Sequence, residues 1–203
     1  MNSFFIFLNA WSYRKELTIV LLAFLFVLSL PVAAVFMLTN AGIDIVSDHL
    51  VTKNVQTQSV DIHDPKNGSV IASITKPMHW PIHGVVTLEF GAIDLPYQPL
   101  HTGIDIANVK DTPVTPFMSG TVTYASEISW GYGKHIIIDN GNNISSLYAH
   151  LDKIYVYRGE KVTMDQVIGA EGETGWATGP HVHFEIRAYG IPVNPRTFLA
   201  GEP

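Results

Sequence analysis

The sequence has no cysteine among its 203 residues. That removes disulfides, iron–sulfur clusters, cysteine-ligated zinc modules and thiol nucleophiles together. It also leaves the redox compartment unmarked, because a chain without thiols is indifferent to it. Charge is sparse as well: Asp, Glu, Lys and Arg make up 15%, and 12 basic residues face 18 acidic ones, for a formal net charge of −6. The basic stripe that tracks a phosphate backbone is missing, which excludes a nucleic-acid partner. The Gly-rich stretch 169–179 lacks the Gly-Lys-Ser/Thr of a phosphate loop and opens no helical pattern, so nucleotide binding is excluded too. Internal repeats and low-complexity tracts are absent. Two things are present in excess: nine histidines and hydropathy, whose mean is +0.20.

The hydropathy has one source. Leu17–Leu38 carries no charge, and only Thr18, Ser29 and Pro31 in it are not apolar. As a helix rising about 1.5 Å per residue it spans roughly 33 Å, enough for a hydrocarbon core of about 30 Å. Without it the chain averages roughly −0.1, an ordinary value for a soluble domain. Arg14 and Lys15 precede the span; Asp44 and Asp48 follow it. The positive-inside bias therefore predicts a cytoplasmic segment over 1–16, a transmembrane anchor over 17–38 and an extracytoplasmic remainder. Pro31 is expected to kink the helix, which membrane helices tolerate. The competing reading is a cleaved signal peptide, since Ala33 and Ala34 are small. The run is longer than a signal core of about 7–15 residues, and no Ala-x-Ala site follows it.

Residues 39–76 are polar and mixed, with a turn signal at Asp64-Pro65-Lys66-Asn67-Gly68 and one expected short strand at Ser69–Ile74. They read as a spacer that reaches on the order of 100 Å if extended. From residue 77 to 203 the texture changes. Gly and Pro recur between short β-rich runs, and Val85–Phe90, Gly120–Ala125, His135–Asp139, Ile144–Ala149 and Val182–Ile186 read as strands. Asp139-Asn140-Gly141-Asn142 is a hairpin signal between two of them. The fold class expected is all-β, a compact antiparallel domain preceded by one transmembrane helix.

The histidines are clustered. His101 and Asp105 form His-Thr-Gly-Ile-Asp, His150 sits in Leu-Tyr-Ala-His-Leu, and His181 and His183 form His-Val-His before Phe184-Glu185. In a strand, residues two apart share a face, so His181 and His183 project together. Taken alone, that is also what two polar residues on a solvated strand would give. His-x-x-x-Asp supplies a neutral nitrogen and a hard anionic oxygen, both of which zinc accepts at about 2.0–2.2 Å; taken alone, that spacing recurs by chance. Together the motifs offer three ligands for a catalytic zinc with one position open for water, and further histidines for acid–base work.

These residues, with Trp-Pro-Ile-x-Gly at 80–84, Gly131-Tyr-Gly133, Val167-Ile-Gly169 and the Gly-x-Thr-Gly run before His181, resemble the lysostaphin/LytM family of zinc endopeptidases, which cut peptide bonds in bacterial peptidoglycan. The likeness runs from about Trp80 to Asn194. It implies a compact antiparallel β fold with a narrow groove. It implies that His101, Asp105 and His183 hold Zn²⁺, and that His150 and His181 activate water and stabilise an oxyanion. Tyr132, in Trp-Gly-Tyr-Gly, falls where some members place an oxyanion-stabilising tyrosine. Packing of an aromatic in a Gly turn is the other reading of that residue.

The resemblance also implies the partners: stem or cross-bridge peptides of peptidoglycan, with the membrane engaged through 17–38. Some relatives have lost zinc ligands and act only as regulators; here all the matched positions are intact. A non-catalytic wall-binding or hydrolase-activating module remains the alternative. A cupin-type oxygenase would use His-x-His and a Glu but leave His-x-x-x-Asp and Tyr-Ala-His-Leu without a job. His49, His63, His79, His83 and His135 show no ligand spacing. By alternation Glu185 faces with His181 and His183, where it orients a ligand or pairs at the rim. Asn54 or His63, in the spacer, are candidates to occlude the site.

Overall fold

The computed structural model describes residues 3–75, 77–94 and 100–203; within the long N-terminal helix it describes the side chains of 15–27, 29–30 and 42–50. The chain divides into two units, Met1–Ala41 and Gly42–Pro203. Helix α1 (Ser3–Leu50) runs unbroken through Pro31. In the first unit its described apolar side chains are exposed, Leu17 by 74% and Phe26 by 64%. The side chains of Leu28 and 31–38 of the expected span, and those of 1–14 before it, lie outside the described residues. Among the described residues no helix is long and apolar enough to cross a membrane.

The second unit starts inside the region expected to be a spacer, and here the structure differs from that reading. The last turns of α1 bury Ser47 and Leu50, and the Ser47 hydroxyl accepts from the Asn194 amide at 2.9 Å. Then β1 (Val51–Asn54), β2 (Ser59–His63) and β3 (Val70–Ile74) make an antiparallel three-stranded sheet. Val51, Val60, Ile62 and Ile74 join the same apolar core as the rest of the unit. The strands are four or five residues long; β3 is the short strand expected at Ser69–Ile74, whereas β1 and β2 carry only one and two apolar positions. Only burial against the neighbouring β structure makes them worth forming. The Asp64–Gly68 turn is as expected, with Gly68 N–H donating to the Asp64 carbonyl at 2.8 Å.

The five strands expected downstream all form, as β4 (Val85–Leu88), β7 (Gly120–Glu127), β8 (Lys134–Gly141), β9 (Ile144–Leu151) and β13 (Val182–Ala188). Six more, not expected, join them: β5 (Ile104–Ala107), β6 (Pro113–Val114), β10 (Lys153–Ile154), β11 (Lys161–Val162), β12 (Gly169–Ala170) and β14 (Ile191–Val193). The main antiparallel sheet has the order β11-β7-β8-β9-β13-β5-β4, with β14 also on β13; β10-β12-β6 form a second, small sheet. The fold is mostly β, as expected for the lysostaphin/LytM type.

Strand β13 carries residues of both the core and the site. Val182, Phe184 and Ile186 enter the core, where Phe184 meets Phe117 and Tyr148. Alternation sends His183 and Glu185 to the opposite face. Register does the rest: His183 stands opposite Asp105 of β5 and opposite Ala149 of β9, the residue before His150. The glycine of His-Thr-Gly-Ile-Asp lets β5 come this close. A Cβ on Gly103 would overlap the Phe184 carbonyl and press on the Glu185 side chain. Gly103→Ala is therefore expected to cost about 1–3 kcal/mol of stability through overpacking. It should weaken metal binding as well, because it separates Asp105 from His183. Chemical denaturation and metal titration of the same variant check both.

Candidate metal centre

Three donor atoms converge. His101 Nε2 lies 3.0 Å from Asp105 Oδ1 and 2.9 Å from His183 Nδ1, and His183 Nδ1 lies 2.8 Å from Asp105 Oδ1. His101 reaches this point because its backbone is pinned, accepting from Gly91 N–H and donating to the Ala92 carbonyl. The three residues form the one candidate metal-holding group among the described residues.

The second nitrogen of each imidazole decides the tautomer. A carbonyl or carboxylate oxygen only accepts, so the ring nitrogen facing it must carry the proton. His101 Nδ1 donates to the Glu89 carbonyl at 3.0 Å and His183 Nε2 to Glu185 Oε1 at 3.0 Å, so the outer nitrogen of each ring keeps its proton. The inner nitrogens, His101 Nε2 and His183 Nδ1, both face Asp105 Oδ1, and a bound metal would take the place of the proton in those contacts. Both histidines are thus oriented as ligands, one through each type of nitrogen. Around an ion bound at about 2.0–2.2 Å, tetrahedral ligands lie roughly 3.3–3.6 Å apart. The observed triangle, 2.8–3.0 Å on a side, is about half an ångström tighter, and two nitrogens with one carboxylate suit zinc. Without an ion the cluster holds its charge inward. Burial would lift the Asp105 carboxyl, but hydrogen bonds to both imidazoles hold it far below the usual carboxylate range. Burial would likewise lower His183, and Asp105 with Glu185 carry it up to about 9.

His150 and His181 flank this triangle, with ring centroids 4.7 Å apart. Each commits Nδ1 to a carbonyl: His150 to Thr174 at 2.7 Å and His181 to Gly179 at 2.9 Å. Nε2 is then the free basic atom in both, and that of His181 lies 3.6 Å from Asp105 Oδ2. Burial first, then the neighbouring His181 and His183, press the His150 pKa down to about 4. His150 also has a φ of 60°, in the left-handed region that side chains rarely adopt. Its amide donates to the Tyr132 carbonyl at 3.0 Å, and that contact and the Thr174 contact hold the strained backbone in place.

Behind His183 lies a closed polar network. Glu185, fully buried, accepts from His183, from Thr102 Oγ1 at 2.6 Å, from the Tyr132 hydroxyl at 2.8 Å and from Arg187. Burial opposes ionisation of Glu185, yet His183 and Arg187 bring its pKa to about 2, so the carboxylate stays charged. Tyr132 lines the cleft, but its hydroxyl proton goes to Glu185 and its oxygen accepts from Arg187 at 3.1 Å. Burial and the Glu185 charge push that hydroxyl up to about 12. The structure thus commits to Glu185 the hydroxyl expected to face an oxyanion. Glu185→Gln removes the charge that holds the His183 tautomer. It is expected to weaken zinc affinity about 10–100-fold with the fold retained, which competition with a chelating dye would measure.

The five other histidines stay away from the cleft. His63 is held between Thr52 and the Gly68 carbonyl, and Asn54 donates to Asp61. Both are engaged within the β1–β3 sheet, which does not support occlusion of the site by either. His79 meets Thr115, and His135 bonds the Gly133 carbonyl and stacks on Tyr124. Sequence reasoning singled out neither Thr102 nor Arg187. The signal for Arg187 was there: it continues the His-x-His-x-Glu alternation by one more step.

The cluster forms the floor of a cleft of about 430 Å³, whose walls include Ile128, Trp130 and Trp176. A family model described as peptidase family M23 matches residues 99–195. The chain is 44% identical over 96 residues to the DD-carboxypeptidase/endopeptidase Mpg of Neisseria meningitidis serogroup B, covering 47% of this chain and 22% of that protein. It is 38% identical over 120 residues to the murein hydrolase activator NlpD of Escherichia coli, covering 59% of this chain and 30% of that one. The chain thus spans less than a third of either curated relative. Among solved structures, the catalytic domain of the prophage-encoded M23 protein EnpA from Enterococcus faecalis aligns with a TM-score of 0.52 at 37% identity. That match covers 56% of this chain and 90% of the other.

Proposed function

This chain belongs to peptidase family M23, and on that premise we propose that it is a membrane-anchored zinc endopeptidase that hydrolyses peptide cross-links of bacterial peptidoglycan. One observation carries the reading: three ligand atoms lie within 3.0 Å of one another, with both flanking histidines in place and every tautomer set by a partner. His101 Nε2, Asp105 Oδ1 and His183 Nδ1 would hold the zinc. When bound, it supplies the Lewis acidity that activates water and polarises the scissile carbonyl. The remaining steps belong to the chain. His150, neutral at pH 7 and basic at Nε2, or its neighbour His181, takes the proton from the attacking water and returns it to the leaving amine. The other ring, once it carries a proton on Nε2, donates toward the developing oxyanion. Glu185, Tyr132, Thr102 and Arg187 hold His183 still while this happens.

The anchor is Leu17–Leu38, with the N-terminus cytoplasmic and the β unit outside the bacterial cytoplasmic membrane. Its support is the uncharged run, the basic residues before it and acidic residues after it, the unbroken helix and the exposed apolar side chains. Likeness to NlpD favours a second reading, in which the same groove activates other wall hydrolases. The intact centre favours the enzyme. Full-length chain in detergent, incubated with purified peptidoglycan, should release soluble material; a chelator should stop this and added zinc restore it. An activator would release nothing alone, yet stimulate a separate hydrolase with or without the chelator.

A further inference from the structure

We propose that Trp130 and Trp176, together with Asp94, form a subsite for a primary ammonium carried by the wall peptide beside the scissile bond. This rests on the peptidase reading and names what its cleft selects.

Both tryptophans line the cleft above the ligand cluster, and both are far from buried, Trp130 at 62% exposure and Trp176 at 49%. An indole left in water forgoes the burial that normally fixes its place. Yet these two are held by a built scaffold. They sit on separate turns, and the turns interlock. Trp176 N–H donates to the Gly131 carbonyl at 2.8 Å, Lys134 N–H donates to Thr174 Oγ1 at 3.0 Å, and Ile128 N–H donates to Gly133. A Cβ at Gly175 would overlap the Gly131 oxygen, so the two turns touch backbone to backbone. The same turns supply the carbonyls that hold His150. The backbones that carry the two indoles are therefore pinned to the turns that hold His150, and the rings stand 6.1 Å apart, inclined at 50°.

Two inclined indole faces offer negative quadrupole surface to a cation. Charge in the cleft agrees. Among its described lining residues there is no Lys or Arg, and the carboxylates are Asp105 and Asp94. Asp105 belongs to the metal, which leaves Asp94 to pair with the ammonium. A sugar ring would also stack on indole, but it would leave Asp94 without a partner of opposite charge.

The test uses the full chain in detergent on purified peptidoglycan whose stem peptides carry free primary amines, and on the same material after acetylation of those amines. Co-sedimentation with the insoluble wall is measured beside hydrolysis. For the native chain, acetylation should weaken binding and lower kcat/KM about tenfold, mainly through KM. Trp130→Ala and Trp176→Ala should lose a similar factor on the untreated wall and nothing further on acetylation, with zinc content unchanged. Asp94→Asn should narrow the preference. Equal treatment of both walls by the native chain, or variants that keep the full preference, would overturn the subsite. If neither wall is hydrolysed, the peptidase reading fails, and co-sedimentation still decides: preference for the free-amine wall supports the subsite, and no preference overturns it.

Discussion

Replacing His183 by Ala is expected to leave a folded chain that binds no stoichiometric zinc and has lost about 10³-fold or more of its hydrolytic rate. The size follows from the several kcal/mol that a Lewis acid contributes, since each 1.4 kcal/mol is a factor of ten. Retention of the fold follows from the neighbourhood. Glu185 keeps Thr102, Tyr132 and Arg187 when its imidazole partner goes, so no buried carboxylate is stranded. The core side of β13 is untouched, because Phe184 and Ile186 face the other way. Metal analysis and peptidoglycan hydrolysis on one preparation, with thermal melting as the control, read the three quantities. A variant that hydrolyses at the native rate would remove the metal assignment.

The second large effect is at His150, and here the substitution has to respect the backbone. A φ of 60° suits Asn far better than Ala, so His150→Asn deletes the base without adding strain. Hydrolysis should fall about 10²–10⁴-fold, the range for removing a general acid–base group, while zinc content stays native. The same residue sets a pH signature. Protonation destroys the base, and the pKa is lowered to about 4 from its ordinary value of about 6.5. Loss of the basic form is therefore displaced to lower pH. The part of the acid limb due to His150 should lie below pH 6.5. A kcat/KM profile from pH 4 to 8 tests it; a limb centred at or above 6.5 would show that the ring is not held in the buried, carbonyl-bonded state.

Much of the site was legible because its motifs are local. His-x-x-x-Asp and His-x-His each encode a pair, and alternation alone puts His183 on a shared face with Glu185. What no local pattern contains is register. Only the pairing of β13 with β5 and β9 sets His183 opposite Asp105 and beside the His150 strand. Tyr132 shows the limit from the other side. Its position in a Gly turn is readable, but the direction of its hydroxyl depends on Arg187 and Glu185, more than fifty residues away. Of the β1–β3 sheet only β3 is legible in the sequence, and the reason is energetic. Its strands carry one or two inward apolar residues each, and their stability comes from a core assembled elsewhere. A chain truncated at 77 would strip Val60, Ile62 and Ile74 from that core.

Mass spectrometry of the fragments that the zinc-loaded full chain releases from purified peptidoglycan decides whether the chain cuts the wall itself. Stem peptides with a newly exposed amine and carboxylate at one cross-link bond are expected, absent when His183→Ala is used. Stoichiometric zinc in the native chain with no new peptide termini in the wall would contradict cleavage by this chain.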